Sequence, residues 1–243
     1  MFALFTDFGY RGPYVGQMKA VLTGTQPDVP VIDLCHEAPR FDPRSSSYLL
    51  AAFAASLPVS TVVLAVVDPG VGSDRSAWVL RADGRYYVGP DNGLLEMVAR
   101  RASDCQAWRL PAAGPEASPT FHGRDVFAHA AAAVLEGRFD AFRPMDPGDR
   151  LTVDWADDTP LVLFIDDYGN AMTGIRGELL SDRAILQIGD YKLRYAETFS
   201  RMPRGAAFWF RNSSGLVELA VNGGAAAEVL KLDKGGQVRL LAP

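Results

Sequence analysis

Residues 61–67 read Thr-Val-Val-Leu-Ala-Val-Val, and this run stops on Asp68-Pro69-Gly70-Val71-Gly72-Ser73-Asp74-Arg75. A continuous apolar run bounded by a Pro-Gly turn is the pattern of a strand buried on both faces, which belongs to a parallel sheet covered by helices. It is consistent with an α/β layer fold. Two further strand-like runs, 2–6 and 161–165, also end on a carboxylate, at Asp7 and Asp166. Ligands of open α/β sheets bind at the carboxyl ends of the strands, so these ends point to a small-molecule site.

Around the 61–67 run, strand and helix signals alternate. Residues 2–6 read as a strand, and 13–24 as a helix with Pro13 in its first turn, Val15, Met18, Val21 and Leu22 on one face, and Gly24 past its end. Residues 29–35 read as a strand and 45–57 as a helix with Tyr48, Leu49, Ala52 and Phe53 on one face. This βαβαβ order predicts an α/β domain with a mostly parallel sheet. Over 78–88, two short alternating runs flank Asp83-Gly84, a tight-turn dipeptide, and predict a local antiparallel insertion. Helices are expected over 92–102 and 125–136, with a strand over 106–110. Residues 140–160 are rich in Pro, Asp and Gly and read as a connection. Beyond it, short strand signals at 161–165, 184–188, 191–195, 207–210, 216–221 and 237–241 predict a small all-β domain. The expected organisation is an N-terminal α/β domain over 1–145, a connection over 146–159 and a C-terminal β domain over 160–243.

With 243 residues, 48% of them hydrophobic and 22% charged, the chain can bury one large core or two unequal ones. A net charge of −5 gives no reason to expect nucleic acid or an anionic membrane as partner. Cys35 and Cys105 are far apart and read as plain thiols, and His36, His122 and His129 are too scattered for a histidine-rich metal centre. No run approaches membrane-spanning length, and the chain opens on a strand-like run instead of a charged leader. The expectation is a cytoplasmic protein, in which any metal would need mostly carboxylate ligands.

Asp7 at a strand end can accept from two vicinal hydroxyls, as in sugar recognition; it can equally cap the next segment or form a local turn. His122 stands just before a predicted helix, with Asp125 as the cap. Near Asp68 and Arg75 it could orient or deprotonate a water, although a lone histidine is more often structural. The stretch Asp166-Asp167-Tyr168-Gly169-Asn170 reads as a tight turn, but its ring can stack on a purine and its amide can pair with a purine edge. Asn212-Ser213-Ser214-Gly215 and Asn222-Gly223-Gly224 are hairpin turns or ligand-approaching loops. The turn after Asp68 lacks the Gly-Lys-Ser/Thr ending of a nucleotide-triphosphate loop, and no Gly-x-Gly-x-x-Gly follows Asp7.

Taken in order, Thr6-Asp7-Phe8-Gly9, Ile32-Asp33-Leu34-Cys35-His36, Val67-Asp68-Pro69-Gly70-Val71-Gly72, Gly89-Pro90-Asp91-Asn92-Gly93-Leu94-Leu95, Phe121-His122-Gly123-Arg124-Asp125, Tyr168-Gly169-Asn170 and Asn212-Ser213-Ser214-Gly215 resemble the S-adenosyl-methionine hydrolase family, the SAM hydroxide adenosyltransferases. Fluorinating and chlorinating enzymes are relatives of that family. The resemblance implies an N-terminal α/β domain and a C-terminal β-barrel-like domain. It also implies a homotrimer with active sites between subunits, no metal, and no cofactor beyond S-adenosyl-L-methionine as substrate. The implied reaction is attack of water on ribose C5′, giving adenosine and methionine. Asp68, Arg75 and His122 match the family's water-activating triad, Asp7 the ribose-holding residue and Asn170 the adenine reader. Phe41, Phe121 and Tyr168 match aromatic residues around the nucleoside. Ser213, Glu218, Val221 and Gly223 match C-terminal contacts, with Asp166 and Ser213 towards the methionine. The halogenating relatives carry an aromatic residue in place of Asp68 and a hydroxyl residue near Val71, and they have arginines where this chain has Ser214 and Val221. The alternatives are a halogenase and a nucleoside-binding protein with little turnover.

Overall fold

A computed structural model describes residues 1–149 and 153–241, in two compact units, Met1–Trp155 and Ala156–Pro243. The division falls inside the expected connection over 146–159, of which residues 150–152 lie outside the described residues, as do 242 and 243 of the expected C-terminal domain.

The first unit runs β1 (Phe2–Thr6), α1 (Tyr14–Thr25), β2 (Val31–Cys35), α2 (Pro43–Ala54), β3 (Val62–Val66), β4 (Ala77–Ala82), β5 (Arg85–Pro90), α3 (Glu96–Arg101), β6 (Cys105–Arg109), α4 (Ala128–Leu135) and β7 (Arg143–Met145). A π-helical turn, Gly123–Phe127, leads into α4. Helix α2 starts where Pro43 presets the backbone and Asp42 Oδ1 accepts the Ser45 N–H at 3.0 Å. Its first turn therefore precedes the expected start at 45. All five residues of β1 and of β3 are buried. One face, with Phe2, Leu4, Val62, Leu64 and Val66, packs in a core with Met18 and Leu22 of α1 and Ala128 and Ala131 of α4. On the other face Phe5 meets Phe53 of α2 edge-on, with ring centroids 6.5 Å apart.

The sheet order is β2-β1-β3-β5-β4-β6-β7. β1 pairs in parallel with β2 and β3, and β3 with β5; β4 pairs antiparallel with β5 and β6, and β6 with β7. The expectation of a mostly parallel sheet is thus corrected to a mixed one, with three parallel and three antiparallel pairings among the described residues. The cause is the Asp83-Gly84 turn. With φ of +46° and +78° it makes a two-residue hairpin loop of matching twist, closing on the Ala82–Arg85 pair. The hairpin is no peripheral insertion, because β5 docks beside β3 and β4 carries the sheet onward in the opposite sense.

The second unit contains β8 (Thr159–Ile165), β9 (Ala171–Arg176), β10 (Ile185–Ile188), β11 (Tyr191–Tyr195), β12 (Ala207–Arg211), β13 (Leu216–Val221), α5 (Ala226–Val229) and β14 (Arg239–Leu241). Its sheet order is β14-β10-β11-β12-β13-β9-β8. The edges meet: Val162 N–H donates to Gly236 O at 2.8 Å and Val238 N–H to Pro160 O at 2.7 Å, just before β14. The sheet therefore curls back on itself around Trp209, Val217 and Leu219, all fully buried. The short helix α5 makes the unit predominantly β, not the all-β domain expected.

Candidate active site

Strands β1 and β3 lie side by side in parallel register, Thr6 against Val66, so they deliver Asp7 and Asp68 to the same edge of the sheet. Asn92 holds the second end in place, donating from Nδ2 to Val67 O at 2.9 Å while its Oδ1 accepts Leu94 N–H at 3.2 Å. The chain then turns through 69–74 and returns with Arg75. Gly72 sits at φ +81°, and a Cβ there would lie 2.5 Å from Pro119 O. Only glycine lets this turn rest against the loop that leads to His122. That loop is pinned from the other side, since Asp125 Oδ2 accepts Ser118 N–H at 2.9 Å and Arg124 pairs with the same carboxylate. Asp125 is therefore not the cap at the start of the helix that was expected; it lies inside the π-turn and reaches back along the chain.

These supports bring Asp68, Arg75 and His122 into contact. Arg75 Nε donates to Asp68 Oδ1 at 2.8 Å, and a second guanidinium nitrogen donates to Asp68 Oδ2 in a bidentate pair. The same nitrogen lies 3.0 Å from His122 Nδ1. The side chains of Arg75 and Asp68 are 11% and 5% exposed, so solvent screens the pair poorly. The guanidinium also stacks over Phe127 at 5.3 Å. Burial and then the Arg75 charge push the His122 pKa below its ordinary value. Arg75 can only donate, so Nδ1 must be the accepting nitrogen and the neutral ring carries its proton on Nε2.

A cleft of about 180 Å³ opens over this triad, lined by Phe8, Tyr14, Asp68, Val71, Phe121 and His122 among others. Phe8, Tyr14 and Phe121 wall it as three mutually packed rings, with centroids 5.3–5.9 Å apart. Asp7 lies beside it, its pKa raised by burial and in small part by the Asp68 charge. Asp7 Oδ2 accepts Phe41 N–H at 2.9 Å. Phe41 itself is 76% exposed and sits at φ +57°, a conformation costly for a side-chain-bearing residue.

The second unit gathers another polar group. Asp166 Oδ1 accepts the N–H groups of Tyr168 at 3.0 Å and Asn170 at 2.8 Å, which makes the tight turn that was expected. Gly169 is obligatory there, since a Cβ would meet Ala225 at 2.6 Å and φ is +79°. Asn170 is buried, whereas Tyr168 is 82% exposed. Glu218 on β13 is buried, accepts from Asn212 Nδ2 at 2.8 Å, and has its pKa raised by that burial, with Asp166 adding to the rise and Asn212 and Asn170 opposing it. Ser213 is exposed in the 212–215 turn, and Gly223 at φ +72° lies near Arg204. Val221 stands apart from these, because it is 2% exposed and packs in the β core. Sequence reasoning missed Asn92 as the brace of the Asp68 strand end, and Phe8 and Tyr14 as cleft walls. The cluster of Phe8, Tyr10 and Tyr14 directly after Asp7 was the available signal.

Residues 2–142 match the family model of the SAM hydroxide adenosyltransferase N-terminal domain, and residues 161–239 that of the C-terminal domain. The chain belongs to the SAM hydroxide adenosyltransferase family. Among relatives of this family, a Thermus thermophilus protein named (R)-S-adenosyl-L-methionine hydrolase is 39% identical, covering 97% of each chain. A solved structure of an uncharacterized conserved protein from Thermotoga maritima superposes with a TM-score of 0.89 at 29% identity, covering all of both chains. A fluorinase from Nocardia brasiliensis is more distant, 26% identical over 56% of this chain and 54% of its own. In this member of the SAM hydroxide adenosyltransferases, Asp68 past the end of β3, Arg75 ahead of β4 and His122 ahead of the π-turn meet in one acid–guanidinium–imidazole cluster.

Proposed function

We propose that the protein hydrolyses S-adenosyl-L-methionine to adenosine and L-methionine, with water attacking ribose C5′. The observation that carries this reading is the contact of Asp68, Arg75 and His122 in the cleft beside Asp7. An O–C5′ bond forms as the C5′–S bond breaks, and the electron pair leaves on sulfur, which turns from a cationic sulfonium into a neutral thioether. The leaving group needs no proton, so neither a Lewis acid nor a general acid is called for, and the reading takes no metal or cofactor. What remains is to place one water in line and to accept its proton.

Each triad member has a distinct task in this reading. His122 Nε2–H donates to the water oxygen and so orients its lone pair. Arg75 holds Asp68 and fixes the imidazole tautomer. Asp68 keeps free lone pairs beyond its two bonds to Arg75 and accepts the proton, which becomes strongly acidic once the O–C5′ bond has formed. Asp7 takes the ribose hydroxyls, while Phe41 and Phe121 pack on the nucleoside. Of the C-terminal residues, Tyr168 and Asn170 meet the adenine, Asp166 and Ser213 the methionine end, and Glu218, Val221 and Gly223 the surrounding loop contacts. Val221 and Gly223 contribute backbone. The same reading assigns a cytoplasmic homotrimer in which the N-terminal unit of one subunit completes its site with the C-terminal unit of the next. Its support is the family membership and the division of the expected contacts between two units.

Purified protein incubated with S-adenosyl-L-methionine in ¹⁸O-water tests the reaction. Label in the adenosine 5′-hydroxyl is expected. Unlabelled adenosine, or 5′-chloro-5′-deoxyadenosine on adding chloride, would refute hydrolysis in favour of another nucleophile, and nucleoside binding without product would leave a binding protein.

A further inference from the structure

The motif Ile32-Asp33-Leu34-Cys35-His36 has no part in the chemistry above, yet its histidine is 1% exposed and fully hydrogen-bonded. The β1–β2 register runs Leu4 against Asp33 and then Phe5 against Cys35, skipping one residue of β2. A bulge of this kind re-aims the residues that follow it. Just past it, His36 Nδ1 meets Thr6 Oγ1 at 2.8 Å, and His36 Nε2 meets Asp33 Oδ1 at 2.9 Å. Lys19 of α1 donates to the other Asp33 oxygen at 2.7 Å, and Tyr10 covers the imidazole edge-on at 5.1 Å.

The directions of these bonds follow from the groups. Burial works against the Asp33 charge, but the hydrogen bonds from Lys19 and His36 outweigh it and hold the carboxyl below its usual range. An ionised Asp33 can only accept, so His36 donates through Nε2 and its Nδ1 is free to accept the Thr6 hydroxyl. Thr6 Oγ1 in turn accepts Phe8 N–H at 3.2 Å. Every polar atom of the chain from Lys19 to Phe8 then has a partner of the right sense, across two strands and a helix.

The chain ends on the residues flanking Asp7. The same two loops are stitched by Gly9 N–H to His36 O at 2.7 Å, Ala38 N–H to Thr6 O at 3.2 Å and Phe41 N–H to Asp7 Oδ2 at 2.9 Å. We propose that Thr6 and His36 are positioning residues that aim the Asp7 carboxylate and thereby set how strictly the site demands ribose hydroxyls. The proposal rests on the reading of Asp7 as the ribose-holding residue. Thr6 and His36 themselves touch no reacting atom.

Calorimetric titration with adenosine, 2′-deoxyadenosine and 3′-deoxyadenosine tests it, the readout being the ratio of affinities for adenosine over each deoxynucleoside. Thr6→Val keeps the side-chain shape and removes the hydroxyl. It is expected to lower the ratio about fivefold, the worth of one hydrogen bond, and Thr6→Ser to restore it. His36→Asn, which places an amide oxygen near Nδ1, should keep most of the ratio; His36→Gln, which reaches only the Nε2 position, should lose it. Should Thr6→Val fail to fold, the two His36 variants carry the comparison. Equal loss of affinity for all three nucleosides, or an unchanged ratio, would overturn the positioning role, because a purely structural defect does not discriminate among them. Asp7→Asn separates the two ideas: a wild-type ratio in that variant would sink the ribose reading itself.

Discussion

Phe41 is the residue whose structure and proposed role make the sharpest joint demand. Its left-handed backbone costs about 1–2 kcal/mol for an L-residue. With 76% of its surface exposed, about a quarter of a buried phenylalanine's 1.5–3 kcal/mol is realised, roughly 0.4–0.7 kcal/mol. Asparagine tolerates the left-handed region, so Phe41→Asn recovers much of the strain and loses only the small packing contribution. The expected net effect on folding lies between about zero and 1 kcal/mol of stabilisation. Glycine removes the strain entirely but adds roughly 0.5–1 kcal/mol of unfolded-state entropy, so Phe41→Gly should be near neutral. If the ring packs on the adenine nucleoside, either change should weaken adenosine binding by about 1–3 kcal/mol, the range for aromatic stacking on a base, or roughly 5- to 150-fold. Urea denaturation at fixed protein concentration and calorimetric adenosine titration measure the two quantities. A stability loss above about 1 kcal/mol in Phe41→Asn would show that the ring is a packing residue, and unchanged adenosine affinity would remove it from the site.

Mixing two inactive variants tests the shared-site trimer: equimolar Asp68→Ala and Asn170→Ala chains, denatured and refolded together, should regain about a quarter of wild-type sites if each site takes its two halves from different subunits. Assays showing no recovery would place both halves in one chain. The kcat/KM profile should carry an acidic limb with its midpoint below 6.5, because burial and Arg75 keep His122 neutral there. Stability follows the same sign: the unfolded imidazole protonates first, so stability attributable to His122 is full above 6.5 and falls as pH drops towards the folded pKa. A limb at or above 6.5 would contradict the buried neutral imidazole. Glu218 is the opposite case, since its raised pKa makes its contribution greatest below 4.5 and lost as pH rises through the folded value. Glu218→Gln should therefore gain stability relative to wild type as pH rises above 4.5, and a difference independent of pH would refute the assignment.

The residues proposed to carry chemistry drew notice in the sequence because they stand at or just past strand ends, where a periodicity change marks them. Asp7 and Asp68 follow fully apolar runs, and Gly72 and Arg75 follow a Pro-Gly turn, so order along the chain was enough to put them at one edge. The sheet's mixed sense was not legible. Asp83-Gly84 announces a hairpin, but whether the hairpin hangs off the sheet or enters it depends on β5 finding β3, a pairing with no local signature. Strand β9 was missed for a related reason, since Ala-Met-Thr-Gly-Ile-Arg has little β-forming character of its own and is held by β8 and β13. The strain at Phe41 and the Thr6–His36–Asp33 chain were invisible because both arise from long-range contacts.

The order of groups in the triad bears on what it can do. A histidine placed between an acid and a nucleophile can pass protons, because its two nitrogens exchange roles. Here a guanidinium occupies the middle and cannot give up a proton, so no relay runs from His122 to Asp68. Such an arrangement suits a reaction with one proton to remove and none to supply. It also suits a cationic substrate: Asp68 cancels the Arg75 charge, and the buried neutral imidazole adds none, so a sulfonium entering the proposed site meets no net repulsion. In the proposed mechanism, as the carbon–sulfur bond breaks, the positive charge passes from sulfur to the attacking oxygen, which that mechanism sets next to the Asp68 carboxylate. The fixed Asp68 carboxylate in that mechanism favours the new oxonium over the departing sulfonium, and that difference would accelerate the step.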